Sequence, residues 1–299
     1  MDYHEPVLLS HSVDGLAINP SGTYVDVTFG GGGHSRAILE RLNSTGRLYA
    51  FDQDPDAQQN IIDDERCTLI PQNFRFINRY LRFYGVRKVD GILADLGVSS
   101  HQFDEASRGF STRFDADLDM RMNQSGSLTA YQVINGYDEE ALAEVLFRYG
   151  ELRNARTLAA KIVGARSSKA IKTSFDLKKL LEGLIPKSKE HKVLAQLFQG
   201  IRIEVNQEIA VLKEFLQQVP ALLNPAGRLV VISYHSLEDR LVKRFIRSGL
   251  FEGEPEKDVF GHVSVPLKKV GKLIVPDAKE IERNNRARSA KLRIASLCP

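Results

Sequence analysis

Cysteine is scarce in this chain. Cys67 and Cys298 are the only two in 299 residues, too few and too far apart for a disulfide framework or a zinc-ligand spacing. Both thiols are expected to be reduced and inert. Long apolar runs are missing as well. The first twenty residues interleave Asp2, His4, Glu5, His11 and Asp14 with their apolar neighbours, so no secretory signal or anchor is expected there. No later run reaches the ~20 apolar residues of a spanning helix. The cytoplasm is the default location and no membrane partner is expected. Charge of one sign is scarce too: 41 Lys and Arg against 38 Asp and Glu leave +3, which names no partner. At 42% hydrophobic and 26% charged, the composition is that of a globular protein with one large domain or two ordinary ones.

The chain is organised around TYVDVTFGGGGHSRAILERLNSTGRLYAFD, residues 23–52, which reads as strand, glycine turn, helix, strand. Glycines 30–33 permit positive φ and let a ligand lie against bare backbone. A phosphate loop needs Lys and Ser or Thr after its last glycine; His34 and Ser35 stand there instead. A dinucleotide fold wants G-x-G-x-x-G, but the sixth position is Ser35 or Arg36, so the third glycine is missing. S-adenosylmethionine carries no phosphate, and needs only a backbone-close turn after an acidic strand end, which Asp26 and the glycines supply. A glycine turn with no ligand remains the bland alternative. Asp52, nineteen residues after Gly33, ends the second strand where a carboxylate can accept both hydroxyls of a ribose.

Further strands are expected at Cys67–Ile70 and Val89–Ala94. Phe74, after the third strand, either covers an adenine face or caps the core. Asp95 is the second carboxylate at the switch point of the sheet, and Gly97, Ser99, Ser100 and Gln102 follow on a loop that can face cofactor and substrate. Residues 108–122, RGFSTRFDADLDMRM, show no clean period and read as an ordered loop with the makings of a lid. Strand–helix alternation then stops, and residues 103–205 form an inserted domain of helical periodicity within a Rossmann-like domain made of 1–102 and 206–299. From Arg148 to Arg202, thirteen Lys or Arg face four acids, a net of +9. That concentration is either a solvated face or a phosphate-tracking surface.

The alternation resumes with a helix from Asn206, a strand over Arg228–Ser233, and Tyr234, His235 and Ser236 at its active edge. Residues 252–276 read as irregular surface with one short strand near Val263, and Lys291–Ser296 as an antiparallel strand.

The blocks TFGGGGHS, FDQDP, DGILADLGVSS, RGFS, LDMRM, FQGIRIEVNQE, ISYHSLEDR and NNRARSAKLRIA, in this order, resemble the ribosomal RNA small-subunit methyltransferase H family, also called MraW. The resemblance runs from His4 to Ala295. Departures are the missing glycine-proline before LDM and Asn285 in place of a proline before RARS. What the resemblance implies is an α/β class I S-adenosylmethionine-dependent methyltransferase with a helical insert, acting on N4 of a cytidine in the decoding region of 16S rRNA in the small ribosomal subunit. It also implies cofactor contacts from Gly32, Gly33, His34, Asp52, Phe74, Asp95 and Gln102. A homodimer is compatible with the sequence, no metal cluster is evident, and the reaction needs none.

A cytosine amino group is a poor nucleophile because its lone pair is delocalised into the ring. The site must therefore aim that nitrogen at the methyl and take its proton; such positioning contributes roughly 7–11 kcal/mol. Related amino methyltransferases often carry Asp/Asn-Pro-Pro-aromatic after the fourth strand, whereas here the residues are Asp95-Leu96-Gly97-Val98. Asp95, Ser233 and His235 are the candidate acceptors; alternatively, Asp95 serves only the cofactor and His235 caps a helix. Competing readings are a methyltransferase for a small molecule or protein, an NAD-dependent oxidoreductase, and a non-catalytic RNA-binding protein.

Overall fold

In a computed structural model of the protein the described residues are 6–256, 260 and 263–298, so His4 lies outside them. The chain divides into two compact units, Met1–Gly97 with Ile209–Pro299, and Val98–Glu208.

The first unit is built on seven strands: β1 Thr23–Asp26, β2 Arg47–Phe51, β3 Cys67–Ile70, β4 Val89–Asp95, β5 Leu223–Ser233, β6 Leu267–Ile274 and β7 Lys291–Leu297. Their order is β3-β2-β1-β4-β5-β7-β6. The first five are parallel, and β7 runs antiparallel to both β5 and β6. Side chains alternate faces along each strand, and the core splits accordingly. Val25, Ile92, Ala94, Leu229 and Val231 point into one cluster, while Tyr24, Leu93, Val230 and Ile232 point into another. Helices cover both faces, as a buried parallel sheet requires. The first cluster takes Ile77 and Leu81 from α3 (Ile77–Phe83), Phe215 and Val219 from α10 (Glu208–Leu222) and Phe245 from α11 (Ser236–Ser248); the second takes Val13 from α1 (Leu9–Gly15) and Ile38 from α2 (Gly33–Arg41). A last short helix, α12, spans Ala278–Arg283. The register pairs Asp26 with Ala50 and Leu93, and Asp95 with Ile232, so four strands end along one edge of the sheet.

The segment 252–276 departs from the sequence expectation. It holds an eight-residue strand, β6, at the sheet edge; Val263 carries a bridge, and the expected short strand around it falls partly on 257–259 and 261–262, outside the described residues. Likewise β5 begins at Leu223 rather than Arg228; a register shift opposite Val89 and Gly91 absorbs the Pro225–Gly227 turn.

The second unit is helical: α4 Ser100–Asp104, α5 Ala130–Gly136, α6 Glu139–Arg148, α7 Ala155–Arg166, α8 Ser174–Leu181 and α9 Glu190–Asn206. Thr129, Asp138 and Thr173 accept backbone N–H groups in the first turns of α5, α6 and α8, which sets where those helices start. Leu142, Leu158, Leu177 and Leu197 meet in one core. The loop 108–122 is not a free lid. Its Phe110, Leu118 and Met120 are buried in that core, and Asn206 fastens it by accepting from the Met122 N–H at 2.7 Å and donating to the Met120 carbonyl at 2.8 Å. No helix among the described residues is long and apolar enough to cross a membrane.

Candidate active site

The glycine turn joins β1 to α2. Gly30 and Gly32 adopt φ of +51° and +75°, the left-handed region that favours glycine. Gly33 has ordinary φ and is needed for another reason: a Cβ there would overlap the Pro6 ring. Asp26, the acidic strand end before the turn, holds the loop itself. It is fully buried, accepting from the Ser35 hydroxyl at 2.7 Å and the Thr28 N–H at 3.0 Å, and so clamps the two ends of the turn. Thr28 in turn accepts from the Asp95 N–H at 2.7 Å, tying β4 to the same loop.

Asp52 closes the turn from the neighbouring strand. Its Oδ2 accepts from the Gly30 N–H at 2.7 Å and its Oδ1 from the Asp54 N–H at 2.9 Å. Each oxygen has two acceptor directions, so each retains one for a hydroxyl. Burial pushes the Asp52 carboxyl up to about 6 despite these donors.

Asp95, at the end of β4, is likewise raised to about 6, mainly by burial and against the opposing pull of His34 and of the Tyr234 hydroxyl. Tyr234 donates to Asp95 Oδ1 at 2.8 Å. On the other oxygen, His34 Nδ1 lies 3.7 Å from Oδ2. The His34 Nε2 donates to the Val7 carbonyl at 3.2 Å, since a carbonyl can only accept. The Nδ1 facing Asp95 therefore bears a proton only in the imidazolium. Tyr234 stands at the edge where the sequence placed it, and the structure gives it the role of donor to Asp95.

The remaining sequence candidates have structural partners. Ser233 is buried in β5 and its hydroxyl donates to the Lys291 carbonyl at 3.4 Å. His235 is the N-cap of α11: its Nδ1 accepts from the Glu238 N–H at 3.4 Å, its Nε2 lies 3.1 Å from Glu238 Oε1, and Glu238 reaches back to the His235 N–H in a capping box. Of the two readings open for this histidine, the geometry gives the cap. Phe74 meets Phe215 edge-on at 5.3 Å, against the core. In the helical unit, Gln102 is buried and closes a capping box with Ser99 at the start of α4.

A Rossmann-like sheet of order 3-2-1-4-5-7-6 with an antiparallel β7, and a glycine turn and two carboxylates at its carboxyl edge, defines the class I methyltransferase fold. The MraW methylase family model matches residues 1–297. The chain belongs to that family. It is similar to the ribosomal RNA small subunit methyltransferase H of Christiangramia forsetii, 65% identical over 99% of this chain and 98% of that one. The protein of the same name from Flavobacterium johnsoniae is 64% identical with the same coverage. Among solved structures, an rRNA methylase from Streptococcus thermophilus matches 100% of this chain and 99% of its own at 13% identity and a TM-score of 0.42.

Proposed function

We propose that the protein transfers methyl from S-adenosylmethionine to the exocyclic N4 of one cytidine in the decoding region of 16S rRNA, within the small ribosomal subunit in the cytoplasm. The observation that carries this reading is the pairing of a bare glycine turn after β1 with Asp52 and Asp95 at the ends of the two strands that flank β1, in a chain of the MraW methylase family. The donor set suits the cofactor. Asp52 keeps one acceptor direction on each oxygen for the ribose hydroxyls, and Gly30 leaves open space where a side chain would stand. Gly32, Gly33 and His34 shape the wall beside it, with Phe74 and Gln102 as the further contacts the family pattern assigns. When bound, S-adenosylmethionine supplies an electrophilic methyl carbon on a sulfonium.

The chain's own residues do the rest. Asp95 is fixed by Tyr234 on one oxygen and faced by His34 on the other, so its carboxylate can hold a cation or an amino N–H in one direction. A carboxyl near 6 is mostly ionised at neutral pH and is a stronger base than an ordinary aspartate. Asp95 is thus the favoured acceptor for the amino proton; Ser233 and His235 are held by the Lys291 carbonyl and the α11 cap. The helical unit supplies phosphate contacts through exposed cations such as Arg156, Lys161, Lys169 and Lys172. A stacked base cannot enter a strand-edge pocket, so the cytidine turns out at a cost of a few kcal/mol, which those contacts offset. A homodimer is a separate proposal, read by light scattering.

The test is mass spectrometry of nucleosides from small subunits of a strain lacking the enzyme, after incubation with protein and donor. N4-methylated cytidine is expected, and free cytidine should be a very poor substrate. Methyl on a ring carbon, a ribose oxygen or a protein would refute amino methylation.

A further inference from the structure

The edge strand β6 exposes Lys268, Lys269 and Lys272, and α11 exposes Lys243 and Arg247 beside it. Between them lies a cleft of about 300 Å³ whose rim is these five cations plus Arg293, with no acidic residue in the lining. Its floor is apolar, including Ile246, Leu267 and Ile294. Arg293 is neutralised by Asp239 at 2.7 Å, but the other five make no ion pair with any described residue. Like charges gathered in one concavity repel one another and create a potential that an anion relieves.

Lysines on an edge strand also discourage pairing with another sheet, and the register shift between Val270 and Ile274, with Gly271 at φ +67°, is a second such device. Edge protection explains the strand. It does not explain Lys243 and Arg247 on the helix opposite, nor an apolar floor beneath a cationic rim. That combination fits a nucleic-acid strand held by its backbone, whose phosphates meet the rim while ribose carbons rest on the apolar floor. A membrane surface would instead select a protruding face with apolar and aromatic side chains to insert, and this site is a cleft whose lining has no aromatic residue.

We propose that the cleft between α11 and β6 anchors a phosphate-bearing backbone stretch of the substrate RNA away from the base being methylated. The proposal rests on the rRNA reading above and adds a second contact surface, separate from the cations of the helical unit. Its test compares wild type with Lys268→Gln/Lys269→Gln/Lys272→Gln, and with Lys243→Gln/Arg247→Gln in case the strand variant folds poorly. Melting temperature and S-adenosylmethionine affinity should stay at the wild-type level. KM for small subunits should rise about tenfold while kcat holds. The salt slope for binding a 16S rRNA fragment should fall by about 2 for the triple variant, at ~0.7 per single-strand phosphate contact. An unchanged KM and slope in both variants would overturn the proposal, as would an unchanged slope accompanied by lost binding to phosphatidylserine vesicles. Should wild type fail to methylate subunits, the functional reading fails separately and the salt slope still decides the cleft.

Discussion

The hydroxyl of Tyr234 donates to Asp95 Oδ1 at 2.8 Å, joining the end of β5 to the end of β4. This bond favours the ionised carboxylate and works against the burial that raises it. Tyr234→Phe should keep the ring and the fold but move the acid limb of the pH–rate profile to higher pH, because Asp95 loses a donor to its charged form. A several-fold drop in kcat at pH 6 that shrinks at pH 8 is expected. A profile superimposable on wild type would show that the bond does not tune Asp95.

Asp52→Ala should weaken S-adenosylmethionine binding by at least tenfold in calorimetric titration, since a hydrogen bond to a charged group contributes ~1.5–3 kcal/mol. It should also lower the melting temperature, because the Gly30 and Asp54 N–H groups lose their acceptor.

Both Asp52 and Asp95 sit at about 6 in the fold against an ordinary value of 3.8. Their neutral forms are the ones the fold favours. The stability they contribute is therefore fully present below pH ~4 and lost as pH rises through ~6. On the proposed reading donor affinity should run the opposite way, since Asp52 accepts the ribose hydroxyls best when ionised. In wild type without ligand this component of the pH–stability curve should appear between pH 4 and 6, and Asp52→Asn should remove its share. An identical curve in the variant would rule out the assignment.

His235→Asn should leave kcat near wild type and keep the cap, whereas His235→Ala should cost about 1 kcal/mol of stability in thermal unfolding. A loss of rate in the Asn variant at full stability would return His235 to the chemistry.

In the helical unit, replacing Lys161, Lys169 and Lys172 together by Gln should flatten the salt slope of RNA binding by about 2. Arg166 does not belong in that set. Its guanidinium donates to the Ile134 and Tyr137 carbonyls at the end of α5, so Arg166→Ala should lower the melting temperature more than the slope.

Much of the sheet was readable because buried parallel strands are short apolar runs and the glycine turn has few other uses: β2 to β4, Asp52 and Asp95 stand where the pattern placed them, while β1 stops at Asp26, three residues short of the Phe29 to which its alternation runs. The helices from Glu139 to Asn206 follow from 3.6-residue periodicity. What escaped had no period. Strand β6 is LKKVGKLI, an edge strand mostly facing solvent and broken by a bulge, so alternation is absent from its sequence. Asp26 is legible in the sequence as an acidic strand end, but its hydrogen bonds from Ser35 and Thr28 form only once the turn has closed. Tyr234 and Asp95 are 139 residues apart, and nothing local in either stretch signals the other.

The interrupted chain path of the sheet unit has a consequence for synthesis. Residues 98–208 are contiguous and make their own core, so that unit can fold as it leaves the ribosome. The sheet cannot: β4 ends at Asp95, and its partner β5 starts only at Leu223. At ~5–20 residues per second, the intervening 127 residues (96–222) occupy roughly 6–25 s. Throughout that interval the nascent chain carries a parallel strand with one open, apolar flank. Newly made protein is therefore most exposed to mispairing before its last hundred residues emerge, and trigger-type chaperones or slower translation near β5 should affect its yield more than its final stability.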